Sequence, residues 1–213
     1  MQLTPTDRTR HRRLAERGSF DLELINAIID EALICHVGFN VDGTPVVIPT
    51  SHARMGNDVY LHGAVGNNML RSLDRGVDAC VTMTLVDGLV LARSAFHHSM
   101  NYRSVMLFGR ATKVDDTDEK RAAFDALVEH VAAGRTRDAR PPRADEMRKT
   151  LLLKLPITEA SAKVRTGGPV DDADDMDMPI WAGVLPCTMT FADPTPDTGV
   201  IAPVPDYVTN YSR

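Results

Sequence analysis

The chain has 213 residues, of which 43% are hydrophobic and 25% are charged. This composition is typical of a globular protein and excludes disorder of the whole chain. The net charge of −5 gives no overall attraction for nucleic acid or anionic lipid. The three cysteines (Cys35, Cys80, Cys187) are widely spaced and indicate free thiols, and no apolar run approaches the ~18 residues of a membrane span. We therefore expect a cytoplasmic protein with neither nucleic acid nor membrane as a partner.

The first 20 residues form a basic arm. It is either a solvated chain end or helix, or a surface that binds an anion or a partner subunit. Asp21 is placed to cap a helix that runs to about residue 32, because apolar residues recur there at helical spacing. The arginines of the arm are Arg8, Arg10, Arg12, Arg13 and Arg17.

After this helix the pattern changes to that of β-strands. Asp42-Gly43 predicts a hairpin turn, and Asp116 and Glu119 begin an amphipathic helix that ends at Gly134. Strands are predicted over residues 33–39, 45–55, 59–62, 79–94, 103–114 and 151–165, and helices over 21–32, 66–75 and 116–134. This order predicts a β-rich α+β fold, an antiparallel split barrel of about six strands with peripheral helices.

One main domain is predicted over residues 21–167, because no linker interrupts that stretch. The arm 1–20 precedes it, and an acidic, proline-rich extension follows over residues 168–213. This extension carries Trp181, the only tryptophan of the chain.

Common catalytic motifs are absent from the sequence. It has no P-loop, no GxGxxG, no GxSxG and no HExxH. The aspartates of residues 171–177 lack the spacing and the central glycine of a calcium loop. His97 and His98 are adjacent and have no carboxylate or cysteine at ligand spacing. We therefore predict no metal site.

Two segments carry candidate binding residues. In residues 59–73 a strand ends in small residues and a helix begins at once, which suits a phosphate or another anion but also a plain strand–helix turn. In residues 96–111 the polar run 101–104 directly precedes an apolar strand. Polar residues at the start of a strand are suited to contact a heterocycle or a facing subunit. They also occur at the end of an ordinary hairpin.

Several motifs occur in a characteristic order along the chain. They are the helix at 21–32, Pro45–Ser51, Tyr60–Ala64 with the helix that follows, Asn101–Ala111, Ser161–Gly167 and Trp181–Pro186. Together these segments resemble the pyridoxamine 5′-phosphate oxidase-like superfamily of FMN-binding split β-barrels. Within it, the chain is most similar to the branch that includes the nitroimidazole-resistance reductases.

The resemblance implies a homodimer in which each flavin, FMN, lies in the groove between two barrels. Residues 46–51 then flank the isoalloxazine and the ribityl chain, and Leu61 and His62 fall on the phosphate side. Ser104 takes the place of a glutamine that reaches FMN in the parent oxidases. The implied cofactor-binding residues are Val46, Val47, Ile48, Pro49, Thr50, Ser51, Leu61, His62, Asn67, Asn68, Ser104 and Trp181.

The chain departs from the family at the helix start after Ala64. The family commonly places Arg-Lys or a single lysine there to hold the phosphate, whereas this chain has Asn67 and Asn68. Two amides donate hydrogen bonds but supply no charge, and charge-assisted bonds are roughly twice as strong. An arginine from elsewhere, such as Arg71, Arg103 or one from the arm, is needed to replace that charge.

The resemblance implies an FMN-dependent oxidoreductase that acts on a small electrophile such as a nitro compound or a quinone. His62, Tyr102 and Arg103 are the candidate catalytic residues, with His62 as proton donor. Oxidation of vitamin B6 is disfavoured, because no arginine follows Trp181 until Arg213. The alternatives are a non-catalytic protein that binds a flavin, the deazaflavin F420 or haem, and a structural dimer with an empty groove.

Overall fold

A computed structural model describes residues 1–212, so Arg213 lies outside the described residues. The chain divides into two compact units. Unit 1 combines residues 1–32, 82–106 and 159–188, and unit 2 contains residues 33–81, 107–158 and the chain from 189 onward. The predicted boundaries at residues 20 and 167 stay a prediction.

The secondary structure is mainly antiparallel strand with helices beside it. In residues 1–212 the helices are α1 Leu22–Glu31, α2 Asn68–Asp74, α3 Thr117–Val131, α4 Ala144–Lys149 and α5 Asp206–Thr209. The strands are β1 Gly18–Ser19, β2 Cys35–Val41, β3 Thr44–Thr50, β4 Ala53–Met55, β5 Asp58–Ala64, β6 Asp78–Leu91, β7 Ser99–Arg110, β8 Thr112–Lys113, β9 Thr150–Pro156, β10 Glu159–Arg165 and β11 Gly183–Pro186. The predicted β-rich α+β class is confirmed. No helix among these residues is long and apolar enough to cross a bilayer.

Unit 1 is a sheet with α1 packed on it. Its strands follow the order β1–β10–β7–β6, and β11 pairs with β6. The carboxylate of Asp21 accepts a hydrogen bond from the Leu24 backbone N–H at 3.4 Å, so the predicted cap of α1 is present. Ile25, Ile28 and Ile29 are fully buried, which is what residues at i, i+3 and i+4 on one helix face achieve.

The arm at the start of unit 1 is packed rather than frayed. Leu3 and Thr9 are buried, and the Arg8 guanidinium forms an ion pair with Glu159 on β10. A single 3₁₀ turn, Ala15–Arg17, leads into β1, which pairs with β10. The arm therefore runs alongside β10.

Unit 2 begins with the hairpin of β2 and β3. Asp42 and Gly43 both have positive φ, 49° and 83°, as a two-residue hairpin turn of the primed type requires. A second sheet has the order β4–β5–β9–β8. Its central strands β5 and β9 are buried on both faces, between α2 and α3.

Tyr60, Glu119 and Lys154 form a polar bridge between this sheet and α3. Tyr60 Oη and Lys154 Nζ each donate to Glu119 Oε1 at 2.7 Å. The ammonium of Lys154, followed by the Tyr60 hydroxyl, lowers the pKa of the Glu119 carboxyl below its ordinary 4.5. The folded state therefore releases this proton more readily than the unfolded chain does.

The Glu119 carboxylate makes the stability of this bridge dependent on pH. A lowered folded-state pKa stabilises the protein above pH 4.5, and this contribution disappears as the pH falls through the folded value. We expect Glu119→Gln to lower the free energy of unfolding by about 1 kcal/mol at pH 7 and to change it little at pH 2.5. Urea titrations at both pH values measure this. Glu23→Gln, on the exposed face of α1, is the control, and an equal loss for E119Q at both pH values would contradict the assignment.

Candidate functional site

Strand β5 places His62 on the face of its sheet that α3 covers. Side chains alternate along a strand, so His62 points to the same side as Tyr60, which bonds to Glu119 on α3. The His62 ring meets Phe124 of α3 edge-on, with 6.5 Å between ring centroids. Leu61 points the opposite way and is fully buried in the core. Leu61 and His62, the two residues of β5 predicted to bind the cofactor, therefore point to opposite faces of the sheet.

His62 has a ring nitrogen without a protein partner. Its Nδ1 is buried and makes no hydrogen bond within the described residues. Burial lowers the pKa of the imidazole below its ordinary 6.5, so the ring is neutral at pH 7. Buried polar atoms nearly always have a partner, and a neutral imidazole suits a base or a metal ligand better than a proton donor.

A cavity of about 820 Å³ lies beside α3 and is open to solvent. Phe124 and Val128 of α3 form part of its wall, and Pro141 and Pro142 from the following loop add apolar surface. Charged side chains also line it, namely Arg135, Asp138 and Arg140 from the segment after α3 and Glu146 from α4. Phe124 lines this cavity and also contacts His62, but His62 itself is not among the lining residues. The size of the cavity is in the range of cofactor sites.

A second cavity of about 710 Å³ lies between the β2–β3 hairpin and α2. Val46 and Ile48 line it from β3, and Asn68, Ser72 and Arg75 line it from α2. Three of the predicted cofactor-binding residues therefore share one cavity. Val47 and Pro49 alternate to the other, exposed face of β3.

The remaining predicted residues of unit 2 lie at the ends of these elements. Thr50 is the last residue of β3, and Ser51 directly follows it, and both are half-buried. Asn67 caps α2, since its Oδ1 accepts a hydrogen bond from the Leu70 backbone N–H at 3.1 Å. The side-chain oxygen of Asn67 is therefore used within the helix cap, whereas Asn68 lines the cavity.

In unit 1 the predicted residues lie on β7 and before β11. Arg103 is bound by two carboxylates, since its guanidinium pairs with Glu31 and with Asp87, the latter at 2.7 Å. These bonds raise the pKa of Arg103 further above its ordinary value. Ser104 Oγ donates to the Lys163 carbonyl at 3.3 Å.

Tyr102 and Trp181 remain accessible in unit 1. Tyr102 is half-buried on β7, and 67% of Trp181 is exposed. The Trp181 indole lies against the backbone of Gly183, where a Cβ would stand 2.9 Å from the ring. Close approach of the indole therefore requires glycine at 183.

Sequence reasoning missed the partners of these side chains. Phe124 lies within the amphipathic helix predicted from Asp116, where its pattern indicates no contact with His62, and Glu31 and Asp87 belong to no motif. Arg165, a buried arginine near the end of the predicted domain, was also missed. No three His, Cys, Asp or Glu side chains within residues 1–212 are grouped to hold a metal ion.

The family of the chain follows from its similarity to known proteins. The family model described as pyridoxamine 5′-phosphate oxidase matches residues 21–164. The chain belongs to this family, and the resemblance inferred from the motifs is confirmed. No curated protein matches the chain.

Solved structures of similar proteins cover most of the chain. The flavocytochrome Anf3 from Azotobacter vinelandii is 38% identical over 97% of both chains, with a TM-score of 0.90. An FAD and haem binding protein from Mycobacterium smegmatis is 35% identical over 90% of this chain and 95% of its own, with a TM-score of 0.86. A proposed 5-nitroimidazole antibiotic resistance protein from Bacteroides thetaiotaomicron is 28% identical over 69% of this chain and 86% of its own, with a TM-score of 0.58.

Proposed function

We propose that this protein binds a flavin together with a haem and is an oxidoreductase that exchanges electrons with a small molecule. The observation that carries the proposal is its identity of 38% and 35%, over nearly the whole chain, to a flavocytochrome and to an FAD and haem binding protein. Both cofactors supply redox chemistry of their own, and the protein's part is to hold and tune them.

The residues around His62 fit a haem. An axial haem ligand must be a neutral imidazole, and burial keeps His62 neutral at pH 7. Its buried nitrogen is unpartnered, and the Phe124 ring that it meets edge-on also forms part of the apolar wall of the cavity of about 820 Å³, so binding of a haem there requires Phe124 to move aside. Arg135 at the same cavity is suited to bind a carboxylate of a haem, whereas Arg140 there already pairs with Glu146.

The cavity between β3 and α2 fits a flavin. Val46 and Ile48 offer an apolar wall for the isoalloxazine, and Asn68 and Arg75 offer polar and cationic groups. FMN is the flavin that the family resemblance implies, FAD is the flavin named for one relative, and F420 is a third candidate. We assign no catalytic role to Arg103 beyond positioning, since two carboxylates hold it.

The assembly is proposed to be a cytoplasmic homodimer with the flavin at its interface. Exposed apolar residues of the extension, including Trp181 and Ile180, support a second copy as partner. Light scattering of the purified protein measures this, and a monomer mass at micromolar concentration would exclude the dimer.

The test of the cofactor proposal is an absorbance spectrum of freshly purified protein, followed by mass spectrometry of the released molecules. A Soret band together with a flavin mass is the expected result. A flavin without haem, even after haem is added to the protein, would reject the flavocytochrome assignment. Protein that takes up neither cofactor would reject both parts.

A second candidate function is reduction of a nitro compound by flavin alone. The proposed nitroimidazole resistance protein at 28% identity favours it. Turnover of a nitroimidazole with reduced nicotinamide, measured on flavin-loaded and haem-free protein, distinguishes the two. Tyr102 is then the remaining accessible candidate on β7, and Tyr102→Phe is expected to lower kcat.

A further inference from the structure

A third cavity, of about 320 Å³, lies in unit 2 between the N-terminal part of α3 and helix α4. Its lining residues are Thr117, Lys120 and Arg121 of α3, Ala144, Met147 and Arg148 of α4, and Asp115. On each helix the three residues are spaced i, i+3 and i+4, so they lie on one helix face. This α3–α4 cavity shares no lining residue with either of the two larger cavities.

The α3–α4 cavity is lined by more positive than negative charge. Its three cations are Lys120, Arg121 and Arg148, and within residues 1–212 none of them forms an ion pair. The acidic residue of the lining, Asp115, pairs with Lys113 at 2.5 Å. The cavity therefore has a local surplus of positive charge in a chain whose net charge is −5.

Three neighbouring carboxylates on these helices are bound elsewhere. On α4, Asp145 pairs with Lys149 at 3.5 Å and Glu146 pairs with Arg140 at 2.5 Å. On α3, Glu119 belongs to the polar bridge with the sheet. These contacts use carboxylates that could otherwise neutralise the cations of the α3–α4 cavity.

Lys120 is held in place by the backbone of β9. Its Nζ donates to the Thr150 carbonyl at 2.7 Å, which uses one of three N–H groups and leaves two for a ligand. Burial, followed by repulsion from Lys113, lowers the pKa of the Lys120 ammonium. An anion in the cavity would offset both effects. Arg121 and Arg148 are exposed, and their side chains make no hydrogen bond within the described part of the chain.

We propose that the α3–α4 cavity binds the phosphate group of a small ligand through Lys120, Arg121 and Arg148. Charge-assisted N–H donors bind phosphate oxygens strongly, and a planar guanidinium matches the spacing of two such oxygens. Thr117 supplies a hydroxyl donor, and Met147 supplies apolar surface. The cavity is at the lower end of the size range of ligand sites, which suits phosphate itself or a small phosphomonoester.

Binding of inorganic phosphate and of phenyl phosphate to the full chain, measured by calorimetry, tests this site. Arg121→Gln and Arg148→Gln are the variants, because both side chains are exposed and form no ion pair within residues 1–212. Arg12→Gln makes the same charge change at an exposed position of the basic arm and is the control. Circular dichroism of each variant verifies that the fold is retained.

We expect R121Q and R148Q each to weaken phosphate binding about fivefold, and the double variant to weaken it more than about tenfold. R12Q is expected to weaken it less than about twofold. Tighter binding of phenyl phosphate than of inorganic phosphate would assign the site to a phosphomonoester whose organic group contacts Met147. Equal affinities would assign it to the free ion.

Equal phosphate affinities of the double variant and R12Q would overturn the site, and so would a wild-type chain that binds neither compound at millimolar concentration. Loss of binding in Arg75→Gln but not in the double variant would also overturn it, by placing the phosphate in the cavity between β3 and α2. The flavin and haem absorbance of the double variant is expected to be unchanged, because the cavities share no residue. This absorbance reports on the proposed function separately from the phosphate site.

Discussion

Replacing His62 with alanine is expected to remove haem from the protein and to leave its flavin in place. The imidazole is the one proposed axial ligand, and loss of groups that merely support a ligand already costs about 10–100-fold in affinity. We therefore expect the affinity for haem to fall more than about 100-fold. The Soret band at equal protein concentration measures the loss, and the flavin absorbance of the same sample serves as the internal reference.

His36→Ala is the matched control for this variant, because His36 lies on the exposed face of β2. If H36A loses the Soret band and H62A keeps it, the ligand assignment is wrong. Protons compete with iron for the same ring. Since the pKa of His62 is lowered, we expect haem affinity to fall at a lower pH than it does for an ordinary, solvent-exposed histidine ligand.

Arg103→Met is expected to lower the free energy of unfolding by about 2 kcal/mol. The substitution leaves Glu31 and Asp87, both about one-third exposed, without their shared cation. Two carboxylates that converge on one position then repel each other. For a chain of this size we expect the Tm to fall by roughly 4–8 °C.

The control for this variant is Arg140→Met, which breaks the more exposed pair with Glu146 and is expected to cost less than about 1 kcal/mol. Adding Glu31→Gln and Asp87→Asn to R103M should recover part of the loss by removing the repulsion. If R103M is as stable as the wild type but loses turnover, Arg103 has a catalytic role and not a stabilising one.

The elements with strong local signals were predictable from the sequence. Helix α1 has both an N-cap and an apolar stripe, and the Asp42-Gly43 turn determines the register of its hairpin by itself. Helix α4, strand β11 and helix α5 were missed. They have six, four and four residues, which is too short for a periodic pattern, and their structure depends on contacts with distant segments.

The candidate site was predictable only as a set of residue types. His62 could be chosen from its motif, but its burial and its contact with Phe124 depend on how α3 packs on β5. The two carboxylates at Arg103 come from α1 and β6, and no sequence spacing connects them. Arg121 and Arg148 gave no signal, because only the packing of α3 and α4 brings them to one cavity.

The two-residue turn at Asp42 and Gly43 restricts how the cavity on β3 can change. Adding or deleting one residue in this turn would shift β3 by one position against β2. Val46 and Ile48 would then point outward, and Val47 and Pro49 would replace them in the cavity. Substitutions on β3 can therefore change which ligand this cavity prefers, but changes in the length of the turn cannot do so without removing Val46 and Ile48 from it. Related chains that retain the cavity should therefore retain a hairpin of the same length.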